Sequence, residues 1–211
     1  MNGNPEPEFG KQRGAGILHP ERKFLFIDFE ASSLSPNSYP IEVGWAALPG
    51  KRTGSLLIKP EDTWSSTDWD PRAEAVHGIS RDTLGRSGVA AMDAARVILD
   101  LAKGRCLVAD QPSWDGPWLD LLLATVGAAR YRVSDFDAIC WDETARLIVG
   151  EPRPTLGMSM QHARLACYCE RERAMALYPE VRHRAGPDAR RIRAGYEAVC
   201  RAVNQRLNAT S

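Results

Sequence analysis

The sequence predicts an α/β domain built on a mixed five-stranded sheet flanked by helices, and three observations carry that prediction. Three apolar, strand-like runs follow one another early in the chain. Two further short strand patterns come later, and the intervals around them have helical spacing. At 211 residues, 44% hydrophobic and 26% charged, the chain can bury a sizeable core.

Residues 1–20 are rich in Gly, Asn, Pro and Glu without hydrophobic period and read as a flexible leader, which leaves residues 21–211 as a single domain. The first three strands fall at 24–30, 40–48 and 54–58. Pro36-Asn37 and Pro49-Gly50 separate them, so consecutive antiparallel pairing is expected. A polar, Trp-containing connection leads to a short helix over 70–76 that stops at Gly78. Helical spacing resumes over 89–103 and ends at Gly104, before a buried strand at 106–109. A helix over 114–126, a strand over 133–136, and helices at 140–149, 157–169 and 187–205 complete the pattern. No internal repeat or low-complexity tract competes with this reading.

Several function classes are excluded or disfavoured. No apolar run reaches the length of a membrane span, so no membrane partner is expected. The first residues lack a basic region followed by an apolar stretch, which argues against a signal peptide. The five cysteines, Cys106, Cys140, Cys167, Cys169 and Cys200, have no paired metal-ligand spacing and read as free buried thiols. A reducing, cytoplasmic setting follows from that usage. Lys and Arg (27) balance Asp and Glu (27), so the chain lacks the basic excess of proteins that hold long duplexes. Basic residues do crowd toward the C-terminal third, at Arg171, Arg173, Arg182, Arg184, Arg190, Arg191 and Arg193. They read either as a solvated helix face or as local phosphate contacts.

The chemistry concentrates in Phe24-Leu25-Phe26-Ile27-Asp28-Phe29-Glu30. Residues i and i+2 of a strand share a face, so Asp28 and Glu30 project side by side. Two like charges in an apolar strand require either a solvated edge or a neutralising cation, and hard divalent ions suit paired carboxylates. If the second holds, further oxygen ligands should converge from element ends. Asp115 lies in the first turn of a helix, and Asp188 opens another after the Gly186-Pro187 break. Acids are also favoured at helix N-termini for purely local reasons. His183 precedes Asp188 by five residues, and a neutral imidazole can accept a proton from water near pH 7.

This ordered set resembles the DEDDh exonucleases, the ribonuclease-H-like 3′-to-5′ exonucleases that include polymerase proofreading subunits and ribonuclease T. Asp28-Phe29-Glu30 matches the family's Asp-x-Glu at the end of an apolar strand. Asp115, in Ser113-Trp114-Asp115, matches its second-motif acid, and His183 with Asp188 matches its third motif. Val76-His77-Gly78-Ile79-Ser80 is similar to the His-Gly-Ile segment that commonly follows the third strand. The likeness spans about residues 23–204. Two segments depart from the pattern: Ala109-Asp110-Gln111-Pro112-Ser113 replaces a His-Asn-Ala-like loop, and Ser32-Ser33-Leu34 replaces Thr-Gly-Leu. Asp110 is therefore a rival to Asp115.

The resemblance implies hydrolysis of phosphodiester bonds at the 3′ end of single-stranded DNA or RNA. It implies two Mg²⁺ or Mn²⁺ ions, held about 3.5–4 Å apart so as to serve the attacking and the leaving oxygen. Asp28, Glu30 and Asp188 would hold the ion that activates water. Asp28 would bridge to the second ion, Asp115 would help hold that ion through water, and His183 would be the general base. Ser32, Ser33 and Leu34 would contact the terminal nucleotide. Trp64, Trp69 and Trp114 either stack bases, at roughly 1–3 kcal/mol each, or pack within the protein. His77 either closes its short helix or binds metal. Proteins of this kind frequently pair as homodimers, for which the C-terminal helices offer a surface, although no heptad pattern marks one. The competing expectations are a non-catalytic nucleic-acid-binding module of the same fold and a metal-dependent phosphohydrolase acting on small nucleotides.

Overall fold

The computed structural model describes residues 22–64, 68–149, 157–180 and 182–209. The expected leader over residues 1–20 lies outside the described residues. Strand β1 (Phe24–Ala31) pairs antiparallel with β2 (Pro40–Leu48), and β2 pairs antiparallel with β3 (Thr53–Lys59). On its other edge β1 runs parallel to β5 (Cys106–Ala109), which pairs parallel with β6 (Val133–Asp135). The two-residue β4 (Val89–Ala90) adds to the far side of β3, giving the order β4-β3-β2-β1-β5-β6. Among the described residues the expected five-stranded sheet therefore has six strands. The sixth was absorbed into the 89–103 helical pattern because two residues carry no period of their own.

β1 alternates between two cores. Leu25, Ile27, Phe29 and Ala31 face one layer, with α3 (Ala91–Ala102) and α4 (Pro112–Ala124) packed on it through Ala95, Ile98, Leu119 and Leu122. Phe24 and Phe26 face the other, against Ile192, Tyr196 and Val199 of α8 (Ala185–Ala209). The Tyr196 ring meets Phe24 edge-on at 5.1 Å. Each fully buried side chain of this size contributes about 1.5–3 kcal/mol, so the amino half of β1 is firmly anchored. The helices α5 (Phe136–Thr144), α6 (Arg146–Val149) and α7 (Gly157–Ala176) complete the α8 side.

Element ends follow local chemistry. α1 (Pro71–His77) begins where Asp70 accepts from the Arg72 N–H at 2.8 Å and ends at Gly78, whose φ of 69° suits a residue without a Cβ. α2 (Arg81–Ser87), absent from the expected elements, is capped by Ser80 and buries only Leu84, too little to leave a helical period in the sequence. β6 stops one residue short of its expected end because Asp135 caps α5 through the Ala138 N–H. The helix expected at 140–149 is two helices, α5 and α6, meeting at Ala145.

Two compositional expectations change. Cys140 and Cys167 are buried as expected, but Cys106 and Cys169 are exposed and Cys200 is half-buried; all five are free thiols. The arginine run is not uniformly a solvated face. Arg171 is buried, and Arg191 and Arg193 lie largely covered against acids or backbone.

Candidate metal centre

Parallel pairing between β1 and β5 ends at Phe26 and Val108, so the carboxyl end of β1 is bounded by β2 alone on its pairing edges. A crevice opens there, at the carboxyl ends of the parallel strands, where open α/β sheets commonly take ligands. Asp28 and Glu30 continue the face that carries Phe24 and Phe26 nearer the strand start. That face rests on α8, and the first turns of α8 bring Asp188 over the two acids. One carboxylate oxygen from each of Asp28, Glu30 and Asp188 lies within 4.8 Å of the others. The interior position of β1, third from the β5-β6 edge, rules out the solvated-edge reading of its two acids.

Asp115 arrives from the opposite layer. It sits in the first turn of α4, is buried, and accepts from the Phe29 N–H at 3.1 Å. That bond ties α4 to the stretch of β1 between Asp28 and Glu30. Asp115 stands outside the close trio but lines the same cleft, of about 650 Å³. Asp110 also lines the cleft, where it pairs with Arg191 at 3.6 Å. The rivalry between these two acids resolves into a division: Asp115 is fastened to β1, and Asp110 to α8.

His183 is on the cleft wall with an exposed side chain. Its φ of 61° is left-handed, a conformation that costs a non-glycine residue on the order of 1–3 kcal/mol. Asp188 stabilises that turn by accepting from the His183 N–H at 2.7 Å and the Arg184 N–H at 3.3 Å, while its other oxygen accepts from Arg191 Nε at 2.8 Å. One carboxylate thus belongs to the acid trio and also shapes the backbone beneath the imidazole.

The electrostatics of the cleft are unbalanced. Burial, reinforced by Asp115, Asp110, Glu30 and Asp188, holds the Asp28 carboxyl well above the ordinary range. Burial, together with Glu42 and Asp188, pushes Glu30 up to about 8, with Arg184 opposing. Asp115 is raised by burial and by Asp110 against the pull of the Phe29 and Gln111 N–H groups, and Asp110 is raised by burial against Arg191. The acids outnumber the cations beside them, since Arg191 pairs with Asp188 and Asp110, and Arg184 only opposes the shift of Glu30. An all-oxygen donor set in that condition could hold a divalent cation, and hard ions such as Mg²⁺ or Mn²⁺ suit oxygen ligands.

The expected substrate contacts divide. Leu34 is 69% exposed and lines the cleft, as does Ser33, whose hydroxyl donates to Asp68 at 3.0 Å. Ser32 is off the cleft wall, fully buried, with its hydroxyl accepting from the Tyr39 N–H at 3.1 Å. Trp114 is partly exposed on the cleft wall and stacks on Trp118, with ring centroids 5.7 Å apart. Trp118 is anchored by donating to Ser38 Oγ at 2.9 Å. Trp64 stacks on Tyr39, and Trp69 donates to Glu74 at 2.7 Å; neither lines this cleft. His77 both closes α1 and lines the cleft. Its Nδ1 accepts from the Ile79 N–H at 3.0 Å, and its buried Nε2 has no hydrogen-bond partner among the described residues.

Sequence reasoning missed Trp118 and named Arg191 only as one of seven arginines, without setting it beside the acids. Trp118 follows Trp114 by four residues, a spacing that places both on one helix face. Arg191 follows Asp188 by three, but it was hidden inside a run of similar residues.

No family model matches the sequence, and no curated protein matches it. Solved structures do. Exonuclease I of E. coli in complex with a dA16 oligonucleotide is similar at a TM-score of 0.60 and 14% identity, over 89% of this chain and 42% of that one. The same enzyme with a dT13 oligonucleotide gives 0.58 and 16%, over 90% and 43%. A full-length 3′-exonuclease gives 0.54 and 15%, over 87% and 60%. The chain spans less than half the length of exonuclease I, and at these identities the likeness establishes the fold, which is ribonuclease-H-like.

Proposed function

We propose that this chain is a DEDDh-type 3′-to-5′ exonuclease that hydrolyses phosphodiester bonds at the 3′ end of single-stranded nucleic acid. The observation that carries this reading is convergence. Residues far apart in sequence, Asp28 and Glu30 from β1, Asp115 from α4, His183 from the turn before α8 and Asp188 from its first turn, meet in one cleft. The solved structures of similar fold include an exonuclease crystallised with single-stranded oligonucleotides, which supports the same substrate class.

Asp28, Glu30 and Asp188 would hold a divalent cation, and Asp28 with Asp115 would hold a second. Bound there, the cations would supply Lewis-acid activation of water and charge stabilisation at the leaving 3′ oxygen. The protein's own side chains do the rest. His183, exposed at the cleft wall on a turn fixed by Asp188, takes the proton from the attacking water. Leu34 and Trp114 offer apolar and stacking surface to the terminal nucleotide, with Trp118 holding the Trp114 ring in place. The small number of cleft arginines and the chain's zero net charge suit a short grip on a strand end. We place this activity in the cytoplasm, in keeping with the free thiols.

The test is cleavage of a 5′-labelled single-stranded oligonucleotide beside a nucleotide monophosphate, each with and without Mn²⁺. A ladder shortening from the 3′ end supports the proposal. Hydrolysis of the monophosphate alone would transfer it to the small-nucleotide phosphohydrolases, and inertness toward both with Mn²⁺ bound would indicate a binding module.

A further inference from the structure

Glu42 lies on β2 directly opposite Glu30 in the strand register and is 1% exposed. Like charges facing each other across a strand pair are unfavourable, and a buried carboxylate persists only when paired and hydrogen-bonded. Glu42 meets that condition through one segment. Arg184 donates to it twice, from Nε to Oε2 and from Nη2 to Oε1, both at 2.9 Å, and the Ala185 N–H donates to Oε2 at 3.1 Å. This two-pronged arrangement fixes direction as well as distance.

Two residues along the same strand face, Gly44 provides the landing. A Cβ at this position would stand 2.0 Å from the Ala185 carbonyl carbon and 2.3 Å from the Gly186 nitrogen. Side-chain-free backbone at Gly44 therefore lets the first turn of α8 lie flat on β2, while Glu42 locks it from rotating. The locked residues, Arg184 and Ala185, sit between His183 and Asp188.

We propose that Glu42 and Arg184 form a positioning clamp that sets the His183–Asp188 segment over β1. Neither residue touches the reacting atoms. Glu42 grips the backbone and the side chain next to His183, so the imidazole and the Asp188 carboxylate reach the cleft held by Asp28 and Glu30. The clamp's effect on rate rests on the exonuclease reading; its effect on the segment does not.

The experiment compares the full chain with Glu42→Gln, Arg184→Gln and the double variant. Hydrogen exchange is read over residues 182–190 and over β1, and steady-state cleavage is read on a 5′-labelled single-stranded oligonucleotide with Mn²⁺. Each variant should exchange about tenfold faster over 182–190 while β1 stays protected. kcat should fall about 10- to 100-fold with KM nearly unchanged, since misplacement of a reacting group costs that much. The double variant should be no slower than the slower single variant, because the pair acts as one device. Unchanged exchange over 182–190 overturns the clamp, as does a rate loss that multiplies in the double variant with faster exchange throughout. If Glu42→Gln does not fold, Arg184→Gln decides alone, its side chain being 41% exposed. If the unaltered chain cleaves no oligonucleotide, the exonuclease reading fails, and the exchange result still decides the clamp.

Discussion

Two charged regions on the α8 side of the sheet show what distinguishes scaffold from site. Around Arg171, one buried cation is met by Asp137 and Glu172, both of whose side chains are largely exposed, and its guanidinium lies over the Tyr168 ring at 4.0 Å and the Phe136 ring at 5.2 Å. The neighbouring acids hold that guanidinium charged, through hydrogen bonds to Glu172 and Asp137 that outweigh the cost of burial. Every charge there has a partner within the protein. At the carboxyl end of β1 the ratio is reversed: Asp28, Glu30, Asp110, Asp115 and Asp188 share Arg191 and the reach of Arg182 and Arg184. Partners make a buried charge tolerable within the fold, whereas acids buried short of countercharge make a candidate ligand site.

The largest way to break the comparison is to remove one acid from the deficient cluster. Asp28→Asn should lower 3′-end cleavage by a factor on the order of 10³, the loss of several kcal/mol of transition-state charge stabilisation. The metal-free variant should melt close to the parent, since the amide replaces a carboxyl whose charged form burial and the neighbouring acids already disfavour. Next in size is His183→Ala, which should retain Mn²⁺ binding and lose about 10²- to 10⁴-fold in turnover, the usual span for a general base. Normal turnover in that variant would end the role given to His183. On the satisfied side, Arg171→Ala should cost about 1–3 kcal/mol in denaturant unfolding while kcat of the folded protein stays unchanged.

The smallest expected effect is a pH dependence at His77. Burial holds this imidazole below its ordinary value, and its Nδ1 must stay unprotonated to accept from Ile79. The unfolded chain therefore takes up the proton first as pH falls below about 6.5, the unperturbed value. His77 contributes stability that is complete above that pH and declines as pH falls toward its folded value. Melting curves between pH 7 and pH 5 should show a decline that is shallower in His77→Gln. An equal decline in both proteins would assign it to other groups.

How much of this was readable beforehand depends on whether the signal was local. Asp28 and Glu30 announced themselves because two acids at strand spacing interrupt an apolar run, and Asp188 because Gly186-Pro187 breaks the chain just before it. The three long strands were equally plain, each carrying its own period. Glu42 carried the same signal as Asp28, an acid inside an apolar strand between Ile41 and Val43, yet without a second acid at i+2 it did not stand out. What joins it to the site is Arg184, 142 residues away, and no spacing rule spans that distance. Trp118 and Arg191 stayed hidden because the wall of a cleft is defined by which element ends meet. α2 and β4 escaped because their stability comes from the elements beside them.

The central claim is that the acid cluster at the end of β1 is a divalent-cation centre, and Mn²⁺ titration of the metal-free protein by calorimetry at pH 7, repeated on Asp28→Asn, tests it most directly. Saturable binding with proton release from the parent chain is the predicted result, because acids raised by burial and mutual repulsion must ionise as the cation enters. The Asp28→Asn protein should bind far more weakly. Absence of binding by the parent, or equal binding by both proteins, would contradict the account.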